Sequence, residues 1–316
     1  MSRTDNATNG ETRRRAAWIV LAFVLLAASV AGCTGGSGDT GPVSDSDVLY
    51  PVVVDGLTGY VEADGEMVIE PRFLVGLVLW EGLAPVQEEE GAKWGYIDST
   101  GEFAIDAEFD DAYNFSEGRA RVVVDSLFGY IDTDGEWVVE PEYANASGFH
   151  EGLAVVQPEE AGPVGYIDET GEWVIEPTLT LAGDFGQGMA PSLGEDAFGY
   201  IDETGEWVIE PQYEAAFEFT DDGLAMFAEG EAFGFLDTGG NVAIEPQWAW
   251  ASSFADGLAP AQAEDGRIGY IDTTGEWAIQ PEYDDAGKFI GGRAPVYLGG
   301  EEWWIDASGE VVWPQD

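Results

Sequence analysis

The thirteen residues Gly199 to Pro211, G-Y-I-D-E-T-G-E-W-V-I-E-P, recur letter for letter at Gly165 to Pro177. Related stretches begin at Gly59, Gly95, Gly129, Gly234 and Gly269, and a degraded one begins at Trp303, so the step is 34 to 36 residues. Self-similarity at this period marks a solenoid, a propeller or another repeat array. The chain is read as eight copies of one unit.

Within the unit, Tyr200-Ile201 and Trp207-Val208-Ile209 are short aromatic and β-branched runs on either side of Asp202-Glu203-Thr204-Gly205. That arrangement predicts a β-hairpin. An Asp opening the turn can accept hydrogen bonds from backbone amides two residues on, and the closing Gly can take positive φ, which suits a type I turn followed by a glycine bulge. Pro211 has no amide hydrogen and is expected to end the ladder.

A third strand is announced upstream of each hairpin by Gly-Leu-Ala, as at Gly82-Leu83-Ala84 and Gly152-Leu153-Ala154, or by Gly-Arg-Ala at Gly118 and Gly292. Between the proline and this strand lies a connector with an aromatic residue, Ala and Phe at every third place: Tyr213, Ala216, Phe219 and Tyr283, Ala286, Phe289. It is expected to form a turn or short 3₁₀ segment that mortars neighbouring units, because a single unit cannot bury its own apolar face. The fold class is therefore all-β: eight three-stranded antiparallel units of about 35 residues, expected as an open spiral with a closed propeller-like toroid as the alternative. The spiral is favoured because no strand is split between the termini and the end units look like caps: the first connector, Arg72 to Trp80, is unusually apolar, and the last unit carries Trp303-Trp304 and Val311-Val312-Trp313-Pro314.

The unit resembles the WG (tryptophan-glycine) β-repeat of bacterial proteins, whose pattern runs W-G-[YF]-I-D-x-x-G-x-x-V-I-x-P-x-Y-x-x-A-x-x-F-x-x-G-L-A. The resemblance covers roughly Leu49 to Pro314, although only Trp94-Gly95 keeps the dipeptide itself. It implies an all-β repeat scaffold, often exported or attached to the envelope, with no family catalytic residues to transfer.

Residues 1–32 read as a lipoprotein signal peptide. Arg13, Arg14 and Arg15 precede the apolar run Ala16 to Val30, which is short for a membrane span of about 20 residues. Val30-Ala31-Gly32-Cys33 resembles a lipobox, so Cys33, the sole cysteine, is the expected lipidation site and residues 33–47 a flexible tether. Residues 48–316 are the repeat domain. The expected address is the extracytoplasmic face of a cell membrane, reached by either the general or the twin-arginine route. Without a second cysteine no internal disulfide can form.

With 62 Asp+Glu against 11 Lys+Arg the chain has a net charge of −51, which excludes nucleic acid as a partner. Such acidity suits a salt-adapted protein, whose melting temperature should drop as salt is dialysed from molar to millimolar. No cofactor, metal site or catalytic group is expected. His150, the only histidine, reads as a solvated loop residue. Asp98, Asp132, Asp168, Asp202, Asp237, Asp272 and Asp306 recur at one repeat position, as turn residues do and catalytic pairs do not. Calcium stays open, since Asp132-Thr133-Asp134-Gly135 starts like a calcium loop but lacks the distal Glu. The D-x-x-G-x-W spacing also resembles the Asp-box hairpins of sialidase-type propellers. The expected role is a monomeric, non-catalytic binding scaffold for an envelope protein, a peptide or a glycan, with Trp80, Trp248 and Trp250 as a candidate exposed patch. The alternatives are a purely structural acidic surface lipoprotein and a sialidase-like or carbohydrate-binding propeller.

Overall fold

The computed structural model describes residues 48–314 as eight consecutive antiparallel sheets, one per repeat. The signal, lipidation and tether expectations, Cys33 included, lie outside the described residues. Five sheets have four strands rather than three. In blade 3 they are Asp111–Ser116, Arg119–Val124, Leu127–Asp132 and Trp137–Tyr143, hydrogen-bonded in chain order. The extra first strand is the connector. Ala112 pairs with Val122 and Phe115 with Ala120, so the segment expected to be a 3₁₀ turn satisfies its backbone against the neighbouring strand instead. In blades 5 and 7 the same pairing shrinks to isolated bridges, Ala182 with Ser192 and Ala251 with Ala261.

The hairpin forms as its residues require. Gly205 donates its amide to the Asp202 carbonyl at 2.9 Å and takes φ +82°, while Asp202 Oδ1 accepts the Thr204 amide at 2.9 Å, the Glu206 amide at 3.0 Å and the Thr204 hydroxyl at 2.6 Å. These donors hold the exposed Asp202 carboxyl below the usual range, the Thr204 hydroxyl foremost. Because the folded pKa is the lower one, the turn adds stability above the unfolded Asp value and loses it as pH falls through the folded value. Thr204→Val should therefore move the Asp202 titration up toward the ordinary 3.8, read by carboxyl NMR; an unmoved titration would show that the hydroxyl is not the cause.

Proline does not end the strand. The last strand of blade 5 runs Trp207–Tyr213 straight through Pro211, and its register jumps: Tyr200 faces Ile209, while Phe198 faces Tyr213. The surplus residues form a bulge over Gly199, and a Cβ placed there would lie 2.3 Å from the Ile209 carbonyl oxygen and 2.7 Å from the Pro211 nitrogen. Pro211 thus sits where the ladder is already interrupted, and the glycine of the repeat is the floor under that crossing. The eighth repeat has Trp303 at this place, and among the described residues its last strand, Val311–Trp313, reaches only to the partner of Trp304 and does not cross it.

Neighbouring blades are joined by a repeated clamp. The buried aromatic ring after the glycine packs on the connector Phe of the next blade: Tyr96 on Phe115, Tyr130 on Phe149, Tyr166 on Phe185, Tyr200 on Phe219, Phe235 on Phe254 and Tyr270 on Phe289, with ring centroids 4.7 to 5.1 Å apart. The tyrosine hydroxyl also donates across the junction, Tyr166 to the Gly183 carbonyl at 2.6 Å and Tyr130 to the Ser147 carbonyl at 2.7 Å. Burial pushes these phenols well above the ordinary value. Tyr166→Phe strands the Gly183 carbonyl and should cost about 1–2 kcal/mol in a urea melt; a loss near zero would mean that water replaces the donor.

The ring closes, which overturns the open spiral. Blade 8 meets blade 1 through contacts of the same kind as the interior junctions. Trp304 occupies the clamp tyrosine's place and packs edge-on against Tyr50 at 5.1 Å, and the Tyr50 hydroxyl donates to the Gly291 carbonyl at 2.8 Å. Arg293 donates from Nε to the Ala63 carbonyl of blade 1 at 2.8 Å, just as Arg119 of blade 3 reaches the Glu169 carbonyl of blade 4 at 3.5 Å. Val48, Tyr50, Val52, Val61, Val78, Ile290 and Trp304 form one buried cluster across this seam. Of the residues read as exposed-end caps, Val78 and Trp80 of the first connector and Trp304, Val312 and Trp313 of the last repeat lie in or against the seam cluster. Among the described residues no strand is split between the first and the last blade. The contacts seen across the seam are side-chain packing and the bonds of Tyr50 and Arg293.

Candidate axial site

The connector positions show where the ring departs from its own repeat. Ala112, Ala146, Ala216, Ala251 and Ala286 are buried at one place, and Phe115, Phe149, Phe185, Phe219, Phe254 and Phe289 at another three residues on. Between them, one residue before the Phe, stand Asn114, Gly148, Asp184, Glu218, Ser253 and Lys288, with Val78 in blade 2. No two are alike. Lys288 Nζ lies 4.0 Å from Glu218 Oε1 although the residues belong to blades 8 and 6, and Ser253 Oγ of the intervening blade is 3.4 Å from that same oxygen. Side chains two blades apart can meet only near the middle of the ring. These positions therefore line its axis.

Further round the ring, His150 Nε2 of blade 4 is 3.5 Å from Asp184 Oδ2 of blade 5, and Asn114 Nδ2 donates to the Val78 carbonyl at 3.1 Å. His150 is accordingly a half-buried residue between blades and not the solvated loop side chain expected from sequence. Asp184 Oδ1 and Asn114 Oδ1 are buried without a hydrogen-bond donor. The lining thus offers acceptors in excess of donors, with Lys288 as its one lysine.

The turns after the connectors add a linked series of carboxylates. Glu81 accepts the amides of Glu117 and Gly118 in the next blade at 3.0 and 2.9 Å, Glu117 accepts those of Glu151 and Gly152 at 2.7 and 2.8 Å, and Asp256 accepts that of Gly292 at 2.8 Å. Glu81, Glu117, Glu151 and Asp256 all sit at positive φ, so the residues that bridge the blades are also the ones that tighten the turns. At the seam Gly291, with φ +56°, takes this place. Among the described residues no group of three or more His, Cys, Asp or Glu side chains is placed to hold a metal ion, which leaves Asp132-Thr133-Asp134 as a turn.

The tryptophans singled out from sequence do not come together. Trp248 is only 6% exposed and packs with Phe235 and Ala259 between blades 6 and 7, which removes it from any surface patch. Trp80 is half-buried against the seam cluster, and Trp250 is half-buried against the cluster of Leu258 and Ile268. Their bulk fills gaps where smaller connector residues would leave voids. The axial residues were missed because each looks like an ordinary loop residue. The signal that could have found them is their disagreement between recurring Ala and Phe neighbours.

Among solved structures, the chain is similar to a eukaryotic initiation factor (9% identity, 88% of this chain and 87% of that one, TM-score 0.53) and to the dihydro-heme d1 dehydrogenase NirN in complex with DHE (14%, 88% and 75%, 0.53). It is also similar to BamB from Moraxella catarrhalis (10%, 83% and 94%, 0.46). At such identities the likeness concerns the fold alone. No curated protein sequence matches the chain. The family model described as WG containing repeat matches residues 94–127, 128–157, 165–191, 198–231, 233–266 and 268–301, more than half of the chain. With the glycine floor, the bulged proline strand and the Tyr-Phe clamp repeated around one ring, the chain belongs to the family of WG containing repeat proteins.

Proposed function

We propose that this protein is a non-catalytic interaction scaffold whose partner is engaged at the axial ring. One observation carries the reading: the blades are uniform in their clamps and turns, and the positions that face the axis are where they all differ. Symmetric packing needs no such divergence, whereas recognition of an asymmetric partner does. The surplus of acceptors at Asp184, Asn114 and Glu218, on a chain of net charge −51, favours a partner that presents amines or guanidinium groups. Exported, membrane-anchored display through a lipid on Cys33 belongs to the same proposal, and mass spectrometry of the mature N-terminus tests it separately.

Capture from membrane and extracytoplasmic fractions with the full chain, with Asp184→Asn/Glu218→Gln, and with the outlying variant Glu140→Gln tests the reading. A partner retained by the first and third and lost at least about tenfold by the axial variant supports it. Equal retention by all three overturns it. A second reading, a carbohydrate-binding propeller, rests on Trp137 and Trp207, which are 36% and 37% exposed at one place in the last strands of their blades, with Trp173 and Trp277 half-buried there. Tryptophan fluorescence against a glycan panel separates the two: quenching lost on Trp207→Ala but kept in the axial variant favours the glycan.

A further inference from the structure

Asparagine is scarce in this chain, five residues against 62 Asp+Glu, yet three of the five open an Asn-X-Ser/Thr triplet: Asn6-Ala7-Thr8, Asn114-Phe115-Ser116 and Asn145-Ala146-Ser147. A triplet of this kind, without proline in the middle, is the acceptor for an N-linked sugar in an exported protein and belongs on a surface. The first lies outside the described residues. The structure treats the other two in opposite ways.

Asn114-Phe115-Ser116 is built into the ring. Asn114 Nδ2, the atom that a sugar would occupy, donates to the Val78 carbonyl of blade 2 at 3.1 Å. Phe115 is fully buried in the clamp with Tyr96, and the buried Ser116 donates from Oγ to the Phe149 carbonyl at 2.6 Å. A sugar on Asn114 would take the nitrogen from Val78 and force a bulky polar group between packed blades.

Asn145-Ala146-Ser147 opens blade 4. Asn145 is exposed and uses only its oxygen: Oδ1 accepts the Ala146 amide at 2.9 Å, while Nδ2 has no partner among the described residues. The fold does not require an amide here. Asp111 in blade 3 and Asp285 in blade 8 stand at the same place and make the same bond through Oδ1, with the Ala112 amide at 3.0 Å and the Ala286 amide at 2.9 Å. In a chain this rich in carboxylates, what Asn145 adds to that task is an unpaired NH2 group at the surface. Ser147 is not dictated by its position either, since its counterparts are Leu77, Tyr113, Gly183, Phe217 and Gly287, with Ser252 alone matching. Its hydroxyl donates to the Gly148 carbonyl at 2.9 Å and accepts the Val155 amide at 3.1 Å. The strand that opens the triplet pairs through only two residues, Asn145 with Gln157 and Ala146 with Val156, so the whole triplet can be presented before that pairing forms or after it lifts.

We infer that Asn145 carries an N-linked glycan and that Asn114 carries none. The donor is an oligosaccharide joined through C1 to a lipid phosphate and delivered by a glycosyltransferase of the cell. Asn145 Nδ2 forms a bond to C1, the bond from C1 to the phosphate oxygen breaks, the phosphate leaves with the electron pair, and the amide gives up one proton. Oδ1 keeps its lone pairs, so the bond from the Ala146 amide survives and the blade closes around the modified residue unchanged. The sugar stands three residues before the axial position Gly148. This inference rests on the export part of the proposed function, because the modification is made on chains that leave the cytoplasm.

The test is peptide mapping by mass spectrometry of the protein isolated from its own cells. The peptide containing Asn145 should carry the added mass of one or more sugars, and the peptide containing Asn114 none. Made in the same cells, Asn145→Asp should lose the added mass completely and still fold, since Asp makes the same bond in blades 3 and 8. Ser147→Thr should keep the mass and Ser147→Ala lose it. An unmodified Asn145 on a chain whose residues 1–32 have been removed overturns this inference and leaves export standing. An unmodified Asn145 on a chain that retains them overturns both. Sugar found on Asn114, or added mass that persists on the peptide in Asn145→Asp, overturns the assignment as well.

Discussion

Gly199→Ala is expected to cost about 3 kcal/mol or more of unfolding free energy, because the new methyl group would meet backbone and not a side chain that could swing away. The Ile209 carbonyl stands 2.3 Å from the added carbon and the Pro211 nitrogen 2.7 Å. Both belong to a bulge fixed on either side by the Tyr200 to Ile209 and Phe198 to Tyr213 pairings. Relief requires the bulge to straighten, and that shifts Tyr213 out of register. A urea melt reads the loss. Gly230→Asn is the comparison, since Gly230 has φ +65° and open space around it, so its cost should stay near ~1 kcal/mol. If the two variants melt alike, the close crossing is not what places glycine in this repeat.

Tyr50→Ala should be nearly as damaging, at about 4 kcal/mol by the usual cost of emptying a buried aromatic site, and its effect should be confined to the seam. The interior junctions are covalently continuous, whereas among the described residues blades 8 and 1 are held by packing and a few hydrogen bonds, with no strand shared between them. Losing the Tyr50 ring removes the clamp on Trp304 and the bond to the Gly291 carbonyl together. The mutual repulsion of a strongly acidic ring then acts against its one weak joint, and more strongly at low salt. Small-angle scattering should show a larger radius for Tyr50→Ala in millimolar salt than in molar salt. Phe149→Ala, at an interior clamp, should lose comparable stability without the expansion. An unexpanded Tyr50→Ala would mean that Arg293 and the remaining cluster hold the seam unaided.

Much of the blade was legible in the sequence. Asp202, Thr204 and Gly205 specify a turn by chemistry local to the turn itself, and Phe219 stood out by its recurrence in the connector, whereas its packing on Tyr200 of the preceding blade became visible only in the structure. The connector was misread because its strand pairs over as few as two residues, Asn145 and Ala146 in blade 4, too short to show an alternating pattern. Pro211 misled for a related reason: it ends a regular ladder, yet it is welcome inside a bulge, and the bulge becomes visible only when both strands are laid side by side. Among site residues, His150 drew attention by being unique, while Asp184, which faces it, did not. The two lie on different blades, and nothing local joins them.

The sequence by itself determined the unit, its number and its acidity, because those follow from short-range chemistry repeated at a constant step. Closure was a tertiary decision. It depends on the rotation between neighbours summed over eight junctions, a quantity no single repeat encodes, and on Tyr50, Arg293 and Trp304 finding one another across more than two hundred residues of chain. The same holds for the axis, where Lys288 and Glu218 become neighbours only once the ring has brought its blades to a common centre.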